Sequence, residues 1–371
     1  MEKQTHEMKV IISGGGTGGH VFPAIAIAHA IRKSRPDAKI LFVGAEGRME
    51  MEKVPAAGYK IIGLKISGFR RSLSLKNLAF PFRVLAAMRK AGKIIRDFSP
   101  DVVVGVGGYA SGPLVKVATR KRIPAVLQEQ NSYPGITNKL LAARASRICV
   151  AYDGMEKYFP KEKILLTGNP VRQDIMNLSG KRERALEVFG FSADRPVVLV
   201  VGGSLGARTI NESIHQGLAR LSEAGVQLLW QTGKLYGPVA REAVSAYSSK
   251  GMVATEFITQ MDLAYAVADL VVSRAGAISI SELCLVRKPA ILIPSPNVAE
   301  DHQTRNALAL VNYQAALMVR DQNAREQLTT QILDLLADQD LCARLQTNIA
   351  SLGRPDAADK IASVVTGLVN Q

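Results

Sequence analysis

Nine short apolar runs recur along the chain: MKVII, KILFVGA, DVVVGVGG, PAVLQEQN and RICVAY in the first half, then PVVLVVGG, VQLLWQTG, ADLVVSRAG and PAILIPSP in the second. Runs of this length, rich in Val and Ile and bounded by Gly or Pro, predict strands. The longer stretches between them carry helical periodicity, so the order is strand, helix, strand throughout and the sheets are parallel. The runs do not alternate apolar with polar, which is the pattern of strands covered by helices on both faces. The pattern breaks at GNPVRQD, residues 168–174, before the charged helix KRERALEVFG and a fresh strand at Pro196. Both halves then open alike, as strand, glycine-rich turn and helix. The expectation is an α/β chain of two doubly wound domains, 8–168 and 169–353, with a helical end, 354–371, packing back on the first.

Charge sharpens this picture. The net charge is +15, yet residues 1–168 carry 28 Lys and Arg against 12 Asp and Glu while the remainder carries 19 against 20, so the whole excess sits in the first half. No acid lies between Glu52 and Asp97, where eleven basic residues stand, among them Arg70, Arg71, Arg83, Arg89, Lys90 and Lys93. That half is expected to face an anion, and nucleic acid, a phosphorylated substrate and an anionic leaflet all satisfy the same field. Within residues 69–96, Leu75, Leu78, Phe82, Leu85 and Met88 make an apolar stripe flanked by bases. Much of the stripe is expected to pack on the sheet, and the part before Pro81 to touch lipid. No uninterrupted apolar stretch is long enough to span a bilayer and no signal core follows the start, so neither crossing nor export is expected. Cys149, Cys284 and Cys342 are scattered and odd in number, which fits small buried residues in a reducing compartment.

The glycine turns carry the chemistry. Gly14, Gly16 and Gly19 satisfy GxGxxG between a strand and a helix, where backbone amides meet an anion. A dinucleotide site with Glu46 as the ribose acid is the competing reading. Against it stand the additional Gly15 and Gly18, the immediate His20, and a second glycine turn in the other half. His20 is the first candidate for a base and His302 the next histidine, since His6 lies in a tail and His29 and His215 lie in amphipathic helices. GVGGYASGP, residues 105–113, is a second flexible turn at a strand end, and QEQN brings Glu129 and Asn131 to the same rim, although Asn131 also suits a helix cap. In the second half GGSLGA offers Ser204 and amides to a diphosphate, to which Arg172 adds a bidentate charge. Glu282, in a helix opened by a glycine turn, suits a ribose diol, with plain surface exposure as the alternative. Asp301 or Gln303 suits sugar hydroxyls. The one Asp-x-Asp, Asp338 and Asp340, falls between helices, so no metal is expected, and a GxxxxGK[ST] loop is missing from the sequence.

Together these motifs resemble the MurG family, UDP-N-acetylglucosamine transferases that convert the first peptidoglycan lipid intermediate into the second. GGGTGGHVFPA, GGYASGP, EQN, GNPVR, GGSLGA, SRAGAISISEL and DHQTRNA occur in family order over about residues 10 to 310. The resemblance implies a GT-B type fold, two Rossmann-like domains facing a cleft, with the lipid acceptor on the first, the UDP donor largely on the second, and neither metal nor cofactor. By motif position Thr17, Gly18, Gly19, Asn131, Arg172, Ser204, Ile258, Ala277, Glu282 and Gln303 contact the donor, with Glu282 on the ribose and the Ile258 segment beside the uracil. Gly15, Gly16, Gly107, Gly108, Tyr109 and Ser111 contact the acceptor. Two positions depart from the family pattern: Gln128 stands where HEQN has His, and Leu205 where GGSQGA has Gln. The implied reaction is inverting transfer to the muramyl 4-hydroxyl of undecaprenyl-pyrophosphoryl-MurNAc-pentapeptide, with His20 as base and Glu129 as second choice. The implied setting is the cytoplasmic face of the bacterial inner membrane, peripheral on its anionic surface, with no nucleic acid. Rival readings are a transferase acting on diacylglycerol, a UDP-sugar epimerase, a nicotinamide oxidoreductase and a nucleic-acid-binding protein.

Overall fold

The computed structural model describes residues 7–66, 80–203, 206–298 and 301–369. The chain divides into two compact units, residues 1–172 with 355–371, and residues 173–354. Gln173 opens the second unit, a few residues past the break at Gly168 read from the sequence.

In the first unit β1 (Lys9–Ser13), α1 (Gly18–Ser34), β2 (Lys39–Ala45), α2 (Glu50–Ala56), β3 (Lys60–Leu64), α3 (Phe80–Phe98), β4 (Val102–Gly105), α4 (Ser111–Arg120), β5 (Ala125–Glu129), α5 (Ile136–Leu141), β6 (Arg147–Val150) and β7 (Ile164–Leu166) follow one another. Their sheet is wholly parallel in the order β3-β2-β1-β4-β5-β6-β7. Successive residues of β1 supply opposite cores: Ile11 packs with Ala91, Ile94 and Ile95 of α3, Leu114 of α4 and Leu141 of α5. Val10 and Ile12 pack with Ile27 and Ile31 of α1 on the other face. Both faces are dry, which is why the strand reads as a continuous apolar run.

The second unit runs α6 (Arg182–Phe189), β8 (Val197–Val201), α7 (Arg208–Glu223), β9 (Gln227–Gln231), α8 (Gly237–Ser245), β10 (Met252–Thr255), α9 (Met261–Val267), β11 (Leu270–Ser273), α10 (Ala277–Val286), β12 (Ala290–Leu292), α11 (His302–Val311), β13 (Leu317–Met318), α12 (Ala324–Ala337) and α13 (Gln339–Ser351). Its parallel sheet has the order β10-β9-β8-β11-β12-β13. Val198 and Val200 pack with Ile210 and Ile214 of α7 and Leu328 and Ile332 of α12. The last helix, α14 (Ala357–Gly367), belongs to the first unit, where Ile361 and Val365 join the core beneath α1.

One expectation needs correction. On α3 the residues that face the sheet are Ala87, Ala91, Ile94 and Ile95, with Met88 partly buried. Phe82 and Leu85 of the apolar stripe point outward, 75% and 46% exposed. Leu75 and Leu78 lie outside the described residues, as does most of the stretch before Pro81.

Candidate functional site

In each sheet the strand order reverses once, at β1 with β4 and at β8 with β11. Connections leaving such a pair of strands run to opposite faces and part above the carboxyl ends, which opens a crevice there. The glycine turns fall at these two points.

In the first unit the turns after β1 and β4 interlock. A Cβ on Gly108 would sit 2.3 Å from the Gly15 carbonyl oxygen, and a Cβ on Gly107 would sit 2.8 Å from Cδ2 of His20, so side chains are excluded at both places. Both glycines have positive φ, 92° and 82° for Gly107 and Gly108, a second reason for their identity. His20 thus sets the Cδ2–Nε2 edge of its ring against the second turn, and its Nδ1 is hydrogen-bonded to Thr17 Oγ1 at 3.1 Å. Gly18 and Gly19 open α1, where amides have no carbonyl one turn back, and no acid stands in that first turn. Tyr109 is about half exposed beside them. Ser111, expected at the rim, is instead fully buried at the start of α4 with its hydroxyl against Gly105.

Sequence reading missed Glu50. Its carboxylate is 1% exposed and accepts hydrogen bonds from the amides of Gly16 and Ala45, both at 2.9 Å. The Gly16 amide, expected to meet the acceptor's diphosphate, is therefore engaged within the chain. Glu46, the ribose acid of the dinucleotide alternative, is ion-paired with Lys90 at 2.9 Å.

Glu129 ends β5 with its carboxylate turned into its own loop. It accepts from the Asn131 amide at 3.1 Å, Asn131 Nδ2 at 3.2 Å, the Gly135 amide at 3.1 Å and Asn138 Nδ2 at 2.9 Å, and is 2% exposed. Burial raises its carboxyl above the ordinary value, and these donors lower it part of the way back. A carboxylate so enclosed organises the 129–138 loop and has no lone pair turned to a substrate hydroxyl, which argues against its use as second base. Gln128, where the family pattern has His, is buried and donates to Asn169 Oδ1 at 2.9 Å. Gln130 donates to that same Gln128 side chain and to the Val106 carbonyl, the latter at 2.8 Å, and Asn169 Nδ2 returns to the Gln130 carbonyl at 3.0 Å. The departure is thus absorbed in a buried amide network tying β4 and β5 to the GNPVR segment. In that segment Arg172 carries its guanidinium 5.9 Å from the Phe22 ring.

In the second unit Gln231, at the end of β9, joins two turns. Its Nε2 donates to the Gly203 carbonyl at 3.1 Å and its Oε1 accepts from the Ile258 amide at 2.9 Å. Ser204 and Leu205 lie outside the described residues. Glu282 is 5% exposed, not a surface residue, and Tyr265 Oη donates to its Oε2 at 3.0 Å. Ala277 opens α10 behind Gly276, and Gln303 Oε1 accepts from the Ser295 amide at 2.9 Å. Asp301 has a positive φ of 51° and accepts from Thr304 Oγ1 at 2.6 Å, which leaves Gln303 the stronger candidate for sugar contact. Arg274, an arginine inside a glycine-turn motif, is spent on the fold: it pairs with Asp321 and donates to the carbonyls of Ile293 and Pro294 at 3.1 and 3.2 Å. Asp338 of the Asp-x-Asp caps α13 through the Leu341 amide at 2.8 Å. Among the described residues no cluster of three His, Cys, Asp or Glu side chains could hold a metal.

Glycine turns at the switch points of two doubly wound parallel sheets suit phosphorylated ligands, and the family matches give the class, a glycosyltransferase: residues 10–150 match the glycosyltransferase family 28 N-terminal domain and 197–361 its C-terminal domain. The UDP-N-acetylglucosamine–N-acetylmuramyl-(pentapeptide) pyrophosphoryl-undecaprenol N-acetylglucosamine transferase of Parabacteroides distasonis is 54% identical over 363 residues, covering 98% of this chain and 99% of its own. The enzyme of the same name from Bacteroides fragilis is 55% identical over 372 residues, 100% of this chain and 98% of its own. The crystal structure of Acinetobacter baumannii MurG superposes with a TM-score of 0.78 at 27% identity, covering 97% and 99% of the two chains. The chain belongs to the MurG family of glycosyltransferase family 28 and has its GT-B type fold. A Neisseria meningitidis UDP-GlcNAc 2-epimerase bound to UDP-GlcNAc, with a TM-score of 0.66 at 17% identity over 97% of this chain and 100% of its own, shares the fold alone.

Proposed function

We propose that the chain transfers N-acetylglucosamine from UDP-N-acetylglucosamine to the muramyl 4-hydroxyl of undecaprenyl-pyrophosphoryl-MurNAc-pentapeptide, the step that completes the peptidoglycan precursor. The observation that carries this reading is His20, pressed by Thr17 against Gly107 at the switch point of the first sheet, in a chain more than half identical to transferases named for that reaction. The 4-hydroxyl oxygen attacks the anomeric carbon as the bond to UDP breaks, inverting α to β. His20 takes the hydroxyl proton on Nε2, in the tautomer whose Nδ1–H donates to Thr17 Oγ1. The departing UDP carries away the bonding pair, and its charge is met by Arg172 and by backbone amides of a glycine turn. Glu282, oriented by Tyr265, accepts from the ribose diol. No metal is needed in this scheme, since the chain's own amides and Arg172 carry the charge.

The test is transfer from radiolabelled UDP-N-acetylglucosamine to a short-chain lipid acceptor, with and without EDTA. Product is expected in both, and His20→Ala is expected to lose about a hundredfold in kcat with its melting temperature unchanged. Absence of transfer overturns the substrate assignment; near-normal turnover of His20→Ala overturns the base.

We also infer peripheral attachment to the anionic cytoplasmic face of the inner membrane. Among the described residues no helix is long and apolar enough to cross a bilayer. The support is outward Phe82 and Leu85 on α3 beside exposed Arg89 and Lys93, with Ile136 and Leu140 exposed on α5 over the same face of the sheet. The same bases would serve nucleic acid, but interleaved large apolar side chains suit lipid.

A further inference from the structure

We infer that Glu50 is a positioning residue for His20, an internal anion that holds the first glycine turn in its working shape. This rests on the reading of His20 as base. The residue lies two elements away from the turn, at the first position of α2, and no part of the reaction described above uses it.

A buried carboxylate costs far more to desolvate than a buried apolar side chain, so packing alone does not account for one at this site. Glu50 has two donors, and they come from different elements: the Ala45 amide at the end of β2 and the Gly16 amide in the middle of the turn. The surroundings are cut to admit it. A Cβ on Gly44 would fall 2.6 Å from its Cγ, and a Cβ on Gly15 would fall 2.1 Å from its Oε1. The carboxylate takes the Gly16 amide, one of those a GxGxxG turn would offer a pyrophosphate, and sets a negative charge beside it. This gives a physical reason why the motif is not a dinucleotide site in this chain.

What the anion fixes is the path from Gly15 to His20. With Gly16 pinned, the Gly15 carbonyl meets Gly108, and Thr17 is held where its hydroxyl bonds His20 Nδ1. Releasing Gly16 lets the turn shift and changes the angle at which His20 lies on Gly107. A misplacement on the order of 1 Å of a proton-transfer group costs up to about a hundredfold in rate. Most of the donor contacts that the resemblance implies lie in the second unit, so releasing Gly16 is expected to change UDP affinity far less than kcat.

The experiment is a double-mutant cycle on the full chain using Glu50→Gln and His20→Ala, with kcat, the KM for UDP-N-acetylglucosamine, UDP affinity by calorimetry and the melting temperature measured for each. Glutamine has nearly the size of glutamate but can accept from only one of the two amides through its carbonyl, since its NH2 meets the other as donor against donor. Glu50→Gln alone is expected to lower kcat about tenfold or more while UDP affinity stays within about twofold, and to add little to His20→Ala, because coupled residues are non-additive. Glu50→Asp, which keeps the charge with a shorter reach, is expected to recover part of the rate and serves as the readout if Glu50→Gln does not fold. Wild-type turnover in both Glu50 variants overturns the inference, as do losses that multiply with that of His20→Ala. Near-normal turnover of His20→Ala overturns the base assignment instead, so the two failures are distinguishable.

Discussion

Tyr265 Oη donates to Glu282 Oε2 at 3.0 Å, and the buried pair joins α9 to α10 in the second unit. Glu282 is the residue assigned to the ribose, so Tyr265 fixes which lone pairs it presents. Tyr265→Phe removes the donor and keeps the ring. The expected result is a rise of about tenfold in the KM for UDP-N-acetylglucosamine, the worth of a hydrogen bond to a charged group, with kcat nearly unchanged. Steady-state kinetics with varied donor checks it; a fall in kcat at constant KM would show that the contact matters only during reaction.

Gln231 spans two turns with the two ends of one amide, so its loss leaves both the Gly203 carbonyl and the Ile258 amide without it. Gln231→Leu is expected to cost on the order of 2 kcal/mol in stability and to weaken UDP by about tenfold. Gln231→Glu retains an acceptor for Ile258 but turns an oxygen toward the Gly203 carbonyl, so it should restore little. Urea melts and UDP calorimetry on the two variants test this. Equal UDP affinity in all three proteins would show that the two turns hold their shape unaided.

How much of this was legible beforehand follows from burial. The nine apolar runs correspond to the inner strands of both sheets, which are covered on both faces. The four strands that the runs did not reveal, β3, β7, β10 and β13, are the four edges. They are less buried than the inner strands: β7 and β13 have no buried residue, β10 only Met252, and β3 only Gly63 and Leu64. A strand with a neighbour on one side needs less apolar surface and leaves a weaker pattern. The site divides in the same way. Turn glycines and His20 were readable because close approach of backbone fixes residue type at known spacing. Glu50, Gln231 and Tyr265 were not, because each acts across elements distant in sequence, and a lone Glu at a helix start reads as an ordinary favourable charge. Arg274 shows the converse: it sits within a recognisable motif, yet its guanidinium is turned toward Asp321 and two carbonyls.

Glu129 yields a prediction about stability and its pH dependence. Burial lifts its folded-state value above the unfolded one, so the folded protein holds that proton more tightly. The linked contribution favours folding below the unfolded value and is lost as pH rises through the raised folded value. Since Gln does not titrate, the stability of the wild type relative to Glu129→Gln should decline as pH rises through that window. Glu129→Ala strands the donors of Asn131, Gly135 and Asn138 and should cost on the order of 3 kcal/mol. Urea titrations from pH 4 to pH 8 check both, given as about the range that brackets a raised carboxyl. A difference that grows with pH would mean that the four donors outweigh burial.

Attachment to lipid can be resolved into its charged and apolar parts. Arg89 and Lys93 stand exposed on α3, whereas Lys90 is paired with Glu46 and Arg96 lies 3.5 Å from Asp97, so the first two are the better test of an anionic surface. Each base near such a surface contributes about 1 kcal/mol, so Arg89→Ala with Lys93→Ala should lower binding to phosphatidylglycerol vesicles roughly thirtyfold. The residual binding should be less sensitive to salt than that of the wild type if Phe82, Leu85, Ile136 and Leu140 enter the interface, because screening acts on charges and leaves apolar burial in place. Phe82→Ser with Leu85→Ser should remove that residue of binding from neutral and anionic vesicles alike. Turnover of a short-chain, water-soluble acceptor should be the same in all of these variants, since the face they alter lies on α3 and His20 on α1, across the sheet. Loss of activity toward the soluble acceptor would mean that α3 acts in the reaction itself, and unchanged vesicle binding would mean that the membrane meets another surface.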